Sequence, residues 1–443
     1  MKYLLIASML MFAPVLIEVS TGLDMNSSAS AAERRKVPPM KERTYKAISE
    51  AQLLIDPESV PVEEGEERPD VKANPAKAVE MLNDQLGRRG LNGYEVAQVW
   101  NTLAFAYYTL DDLQKTKMAY EKVLGQGTIS LALELSATRA LFQLYYADES
   151  YTKAIEFIDK YLALNENPDP DVTFIKATAY YQMERLDDAL KTAIRVEEIA
   201  KELDKEMKEN WLYIQVVLYN EKKNYDKVIE ILERMVVDFP KKQYWMHLAG
   251  MYGEKAWDDK ALSAYYAAYT QGMFDKESEI VMLSQRLLNA EVPFEAATIL
   301  EKGFKSKMIE QNEKNIRLLA TAYTMSKNYG KAIDAWKDAT EYAKDAEVFY
   351  RLAQALANED RHKEAVTAYR DALDKEEGLK DLEEVQFWLG ISLMQLSEWD
   401  DAQAAFRAAA KDKDRRKTAN QYIQYIANEK KRLAALDEML SSS

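Results

Sequence analysis

The sequence predicts an all-α fold: a solenoid of about nine to ten helix–turn–helix repeats with a C-terminal capping helix. Three observations carry that prediction. The 443 residues hold only 14 Gly and 11 Pro and are rich in Ala, Leu, Glu and Lys, a helix-forming composition. A set of small and aromatic residues recurs at separations of 33 to 39 residues between Thr116 and Ala402. Within each interval the apolar positions fall on helical stripes that one repeat cannot bury by itself, so its neighbours must supply the covering surface.

The stretch 242–275, KQYWMHLAGMYGEKAWDDKALSAYYAAYTQGMFD, shows the unit most plainly. Numbered 1 to 34 from Lys242, it places Trp245, Leu248, Ala249 and Tyr252 at positions 4, 7, 8 and 11 of a first helix. Ala261, Tyr265 and Ala268 fall at positions 20, 24 and 27 of a second. This is the tetratricopeptide (TPR) pattern. Small residues at 8 and 20 allow the helices to approach closely, and the aromatic at 24 fills the wedge toward the next repeat. The expected architecture is a right-handed TPR superhelical solenoid, the handedness being that of the repeat type.

Residues 1–31 read as a signal peptide. Lys2 precedes an apolar run, Tyr3–Ile17, and SASAA at Ser28–Ala32 offers small-residue cleavage sites, with Ala29-Ser30-Ala31 fitting the rule best. The alternative is an uncleaved, membrane-anchoring N-terminus. No other stretch approaches the roughly 20 apolar residues that span a bilayer.

Residues 32–96 read as an N-terminal segment containing a degenerate, split repeat. A helix over MKERTYKAISEAQLLID carries the stripe Tyr45, Ile48, Ala51 and Ile55, with Leu54 beside it. An acidic, proline-bearing stretch, DPESVPVEEGEERPDV, follows as a loop, since it has too little apolar surface to pack. A second helix starts at Pro75, with Ala78 and Leu82 at positions 20 and 24.

Residues 97–410 form the TPR array. Position 20 reads Thr116, Ala154, Ala189, Val228, Ala261, Ala296, Ala332, Ala365 and Ala402. Position 11 reads Tyr107, Tyr145, Tyr180, Tyr219, Tyr252, Leu287, Tyr323, Leu356 and Leu393. The uneven spacing falls in polar linkers, NENPDPD at 165–171 and EEGLKD at 376–381. Pro240 ends a second helix. The turns DDLQ, DESY, RLDD, KNYD and SEWDD are expected to supply Asp or Ser caps to the second helices. Residues 411–443 read as the capping helix, its stripe being Ala419, Tyr422, Ile423 and Ile426 with Leu433 and Leu436 beyond, ending in a disordered SSS tail.

Charge and composition exclude several functions. A net charge of −15 leaves no basic field for nucleic acid. With no Cys, thiolate metal sites and thiol catalysis are ruled out. The two histidines, His247 and His362, lie in different repeats. No phosphate loop, nucleophile elbow or paired metal motif is present, and pairs such as Asp258–Asp259 and Asp400–Asp401 are explained by capping. The chain is therefore expected to be non-enzymatic, with no cofactor and no metal.

The fold offers a groove instead. First-helix positions 5, 9 and 12 are expected to face its concave side. They read Asn101, Phe105 and Tyr108; Arg139, Gln143 and Tyr146; Phe174, Thr178 and Tyr181; then Tyr213, Val217 and Asn220. Farther on come Arg317, Tyr350, Gln354, Phe387, Ile391 and Met394. Rings with polar edges, interleaved with amides, suit an extended peptide. The competing reading is that these rings simply pack between repeats. Arg139 stands largely alone, so a carboxylate clamp is not evident.

Several segments go beyond the generic repeat. AERRKVPPMKERTYKAISEAQLLID, VVDFPKKQYWMHLAGMYGE (236–254), KESEIVMLSQRLLNAEVPFEAATILEKG (276–303) and KDKDRRKTANQYIQYIANEKKR (411–432) occur in matching order. Together they resemble the periplasmic TPR proteins encoded beside TonB–ExbB–ExbD systems in gammaproteobacteria, over nearly the whole chain after the signal. The resemblance implies a periplasmic scaffold, accessory to TonB-dependent uptake of iron complexes or other nutrients. The partners it implies are TonB, ExbB or ExbD components or TonB-dependent receptors. The acidic insertion near 56–71 and the long end of the signal segment depart from that family. A periplasmic chaperone or assembly factor for outer-membrane proteins is the alternative.

Overall fold

A computed structural model describes residues 35–58, 71–342, 345–375 and 378–441. The expected signal segment 1–31, the acidic stretch from 59 to 70, residues 376–377 of the second linker and the last two serines lie outside the described residues. Among the described residues the secondary structure consists of twenty-one helices without a strand. Two compact units divide the chain, one ending at Ile231 and the other starting at Leu232. The periodicity, read as one array from 97 to 410, gives no sign of that division.

The first unit begins with α1 (Glu42–Ile55) and α2 (Pro75–Leu86) and continues through α3 (Gly93–Thr109) and α4 (Leu113–Leu124). Next come α5 (Leu131–Ala147), α6 (Tyr151–Leu164), α7 (Pro170–Gln182), α8 (Leu186–Glu202) and α9 (Glu209–Glu221). The unit boundary falls inside α10 (Tyr225–Asp238). Each helix from α1 to α8 packs on its hairpin partner, and each hairpin packs on the next. Direct contacts also join α1 to α3 and α7 to α9. First helices thus lie side by side along one face.

The second unit repeats the scheme. It holds α11 (Lys242–Glu254), α12 (Asp258–Thr270), α13 (Glu277–Asn289), α14 (Pro293–Lys305), α15 (Glu313–Met325) and α16 (Tyr329–Tyr342). Then follow α17 (Glu347–Asn358), α18 (His362–Lys375), α19 (Leu382–Gln395), α20 (Trp399–Ala409) and α21 (Arg416–Ser441). The first helix α13 touches α15, and α17 touches α19. At the C-terminal end, α21 packs on α20, with Ala419 and Ile426 fully buried. Phe387, Phe406 and Tyr422 lock that junction, the last two rings stacked 4.9 Å apart. The stripe expected of the capping helix does not stay covered: Leu436 is 45% exposed. Ser441, the first residue of the expected disordered tail, is the last residue of α21.

The hairpin follows from its small residues. Ala78, Thr116, Ala154, Ala189, Val228, Ala261, Ala296, Ala332, Ala365 and Ala402 are each the fourth residue of a second helix, and all are buried. A longer side chain there would push the two helices apart. The turn is equally regular. In nine successive hairpins the carbonyl of the position-11 residue accepts from the N–H five residues on, as in Asp112 to Tyr107, Ser150 to Tyr145 and Glu398 to Leu393. That bond closes a Schellman turn, whose last helical carbonyls would otherwise be orphaned. The residue before each donor is left-handed, with φ of 55° to 61°, and none is Gly: Asp111, Glu149, Glu184, Lys223, Ala256, Glu291, Lys327, Asp360 and Ser397.

Two expectations need correction. Most turn acids do not cap. Asp112 accepts from Lys115 N–H and Asn224 from Lys227 N–H, but Ser150, Arg185, Trp257 and Glu398 stand at N-caps without a side-chain cap bond. Asp187, Asp188, Asp258, Asp259, Asp400 and Asp401 occupy first turns instead, where negative charge meets the positive end of the helix dipole. In α1 the buried stripe is Thr44, Ile48, Ala51 and Ile55, while Tyr45 is 47% exposed. The cause is polar. Thr44 Oγ1 donates to the fully buried Glu95 carboxylate at 2.7 Å, and Glu95 also accepts from Lys41 N–H and Asn92 N–H. One carboxylate therefore serves the N-termini of both α1 and α3.

Candidate peptide-binding surface

The first-helix face of the first unit carries two aromatic patches joined by a polar link. At the N-terminal end, Phe105 and Tyr108 of α3 line a cleft of about 720 Å³. Ile55 at the end of α1 and Leu144 and Ala147 of α5 complete its apolar walls, with Asp56 and Asp111 at its edge. Both rings are half-buried, so each is held by packing while part of it meets solvent. Behind the cleft, burial followed by the nearby Tyr108 hydroxyl pushes the Tyr120 hydroxyl up to about 12. Asn101, one helical turn before Phe105, is half-buried as well.

The link runs from α5 to α7. Tyr146 donates to Thr178 Oγ1 at 3.1 Å, and its ring meets Tyr151 edge-on at 5.3 Å. Burial raises the Tyr146 hydroxyl above its ordinary range. Gln143, one turn earlier, is half-buried. The second patch joins Tyr181 of α7 to Tyr213 of α9. Burial, then the neighbouring Glu221 carboxylate and Tyr213 hydroxyl, raises the Tyr181 pKa. Asn220 is exposed at the end of α9.

Two of the expected groove residues face elsewhere. Phe174 is only 2% exposed and lies in a core cluster with Ala189, Ala193 and Trp211. The small alanines of α8 leave room that Phe174 and Trp211 fill, so Phe174 offers nothing to a ligand. Arg139 is drawn to the repeat junction. Its guanidinium donates to the Tyr161 hydroxyl at 3.0 Å, lies 5.2 Å from that ring and sits 3.5 Å from Asp169. Asp169 also caps α7, which brings a carboxylate within reach of the cation.

In the second unit the same template positions are largely structural. Tyr350 is 5% exposed and accepts from Gln354 Nε2 at 2.7 Å. Arg317 forms ion pairs with Glu313 and Asp345. Phe387 belongs to the aromatic junction under α21. The aromatic line is thus confined to the first unit. Sequence reasoning missed Ile55, Leu144, Ala147 and Glu221 as members of the surface. The apolar stripe of α1 contained Ile55, but nothing in the linear pattern showed that its end would meet α3 and α5.

Among the described residues no three His, Asp or Glu side chains converge as metal ligands. Burial lowers the His247 pKa, and His362 opens α18 beside Asp360. No helix among the described residues is long and apolar enough to cross a membrane.

No known protein-family pattern and no curated protein sequence matches the chain. Solved structures of low identity align with part of the chain. A tetratricopeptide repeat protein from Parabacteroides merdae is 14% identical, covering 64% of this chain and 99% of its own, with a TM-score of 0.35. The C-terminal part of a TPR repeat-containing protein from Cytophaga hutchinsonii is 18% identical, covering 65% and 99%, also at 0.35. The TPR2AB domain of yeast Sti1, solved in its pHSP90 complex, is 16% identical, covering 66% and 98%, at 0.28. What defines the class is this chain's own hairpin geometry, with its buried position-20 residues and repeated Schellman turns. It is an all-α tetratricopeptide-type repeat protein.

Proposed function

We propose that the chain is a non-enzymatic scaffold that holds an extended segment of a partner protein along the first-helix face of its first unit. One observation supports this above others: Phe105 and Tyr108 on α3, Tyr181 on α7 and Tyr213 on α9 each remain half-exposed on a first helix. Such rings can bury apolar side chains of a peptide while amides such as Asn101, Gln143 and Asn220 bond its backbone. Asp56, Asp111 and Glu221 beside the rings favour a segment bearing Lys or Arg. The partner we propose is a component of a TonB–ExbB–ExbD system or a TonB-dependent receptor, met in the periplasm. That assignment is supported by the resemblance carried by 236–254, 276–303 and 411–432.

The test is site-specific photo-crosslinking in the native cell envelope. A crosslinker at Tyr108 or Tyr213 is expected to capture a TonB-system protein, and one at Lys122 on the outer helix α4 is not. Capture of unfolded outer-membrane strands from the same positions would assign the scaffold to chaperone work instead. Equal yields from all three positions would overturn the groove itself.

A further inference from the structure

In the second unit a cavity of about 520 Å³ lies between the second helices α12 and α14. Phe274 and Ile299, both buried, form its floor, and the half-buried Tyr269 ring meets Phe274 edge-on at 6.0 Å. Tyr266 and Glu295 line it together, the Tyr266 hydroxyl donating to the Glu295 carboxylate at 2.8 Å. Lys302 lines it farther along α14, in the last turn of that helix.

The charges of this groove are left open. Among the described residues Lys302 meets no carboxylate and Glu295 no cation, its one bond coming from the neutral Tyr266 hydroxyl. Seven residues apart on one helix, the two stand about 10 Å apart along its axis and do not pair with each other. In the first unit α8 carries the same two places differently. Asp188 and Arg195 stand one residue before and six residues after the position-20 residue Ala189, as Glu295 and Lys302 do around Ala296, and they line a cavity of about 460 Å³. There Asp188 pairs with Arg185 at 2.7 Å, and Arg195 pairs with Glu198 at 3.0 Å and Glu202 at 2.8 Å. That groove neutralises itself. The one along α14 presents a carboxylate and an ammonium to a single cavity with an apolar floor between them.

We propose that this groove binds short zwitterionic peptides of about three residues, with the amino terminus at Glu295 and the terminal carboxylate at Lys302. An extended residue spans about 3.3–3.6 Å, so three of them bring the terminal charges to the spacing that the helix sets. A single amino acid holds its two charges too close together to reach both ends. The middle side chain lies on Tyr269 and Phe274, which favours Leu, Met or an aromatic residue there. Glu295 is half-buried and Lys302 exposed, so solvent screens both contacts and the affinity is weak. No residue of the first-helix surface takes part, and the two sites stand or fall separately.

Methionine-methyl NMR of the full chain tests this, because Met308 lines the same cavity. The probe is the tripeptide Gly-Leu-Gly, titrated into the millimolar range, and it is expected to shift the Met308 methyl signal saturably. Acetylating its amino group, or amidating its carboxylate, is expected to weaken binding about two- to fivefold each. Glu295→Gln is expected to cancel the penalty for acetylation and leave that for amidation. Lys302→Met is expected to do the reverse, both variants keeping the parent melting curve. A titration with no saturable shift overturns the proposal. Equal binding of the doubly blocked tripeptide overturns it too, and assigns the groove to an interior segment of a longer chain. So do blocking penalties that survive both substitutions, since the peptide termini then lie elsewhere.

Discussion

The hydroxyl of Tyr145 on α5 donates a 2.6 Å hydrogen bond to the Glu121 carboxylate on α4, tying one hairpin to the one before it. Lys153, opening the next helix, stands 4.8 Å from the centre of the same ring. The arrangement recurs. Tyr252 donates to Glu233 beneath Lys260, and Tyr323 donates to Glu301 beneath Lys331. Position 11 thus takes Tyr for three simultaneous contacts: a buried ring, a cation above it and a carboxylate at its tip. Three of the chain's 27 tyrosines thus have a structural use.

Tyr145→Phe keeps the ring and the cation but removes the donor. The expected loss is about 1 kcal/mol, since the bond is charge-assisted but partly solvated. A double-mutant cycle with Glu121→Gln, read by urea unfolding, isolates the pair. Zero coupling would mean that the bond contributes nothing to hairpin stacking.

Glycine substitutions should split by sign. A Cβ at Gly303 would overlap Ile309 Cδ1 and stand 2.7 Å from its Cγ1, and Ile309 is buried. Gly303→Ala is expected to destabilise by about 1–3 kcal/mol through overpacking. Nothing lies within 4 Å of a Cβ at Gly253 on α11, so Gly253→Ala should stabilise by about 1 kcal/mol. Thermal melts of the two variants check this, and shifts of the same sign would contradict it.

The nine left-handed turn residues offer a second route to stability. Glu184 and Lys327 are exposed, with φ of 59° and 57°. A side chain in that region costs about 1–2 kcal/mol, partly offset by the greater chain entropy that Gly loses on folding. Glu184→Gly and Lys327→Gly should each therefore raise stability by roughly 0.5–1 kcal/mol. A fall in melting temperature for both would show that the turns are held by side-chain contacts and not by backbone geometry.

Glu95 makes stability depend on pH. Burial by itself raises its pKa, but the bonds from Asn92 N–H, Thr44 Oγ1 and Lys41 N–H outweigh that and hold the carboxyl below its ordinary value. A carboxyl depressed in the folded state stabilises above the unfolded pKa, about 4.3, and loses that contribution as pH falls through the folded one. Glu95→Gln should accordingly be less stable than the parent at pH 7, with the gap narrowing below about pH 4. A gap that stays constant from pH 7 to pH 3 would remove Glu95 from acid sensitivity.

The hairpins were legible because small residues leave a strong linear trace. Ala154, Ala261 and Ala402 announce close helix approach wherever they recur at the right interval. The surface was legible only in part. Phe105, Tyr108, Tyr181 and Tyr213 stand on the first-helix face where the template put them, yet Phe174, from the same template, fills a gap left by Ala189 and Ala193. Whether a ring packs or stays open depends on the volume opposite it, and that volume belongs to residues fifteen or more positions away. The capping of α1 by Glu95 was hidden for the same reason, since its partners come from segments about fifty residues apart in sequence.

Sequence by itself determined the all-helical repeat, its register and the small residues that make each hairpin close, because these are local and periodic. Tertiary structure decided the rest. It divided the chain into two units inside α10, turned Arg139 toward Asp169, and confined the open aromatic line to the first unit. Each depends on which surfaces meet across hairpins, and periodicity specifies that a face must be buried without specifying what buries it.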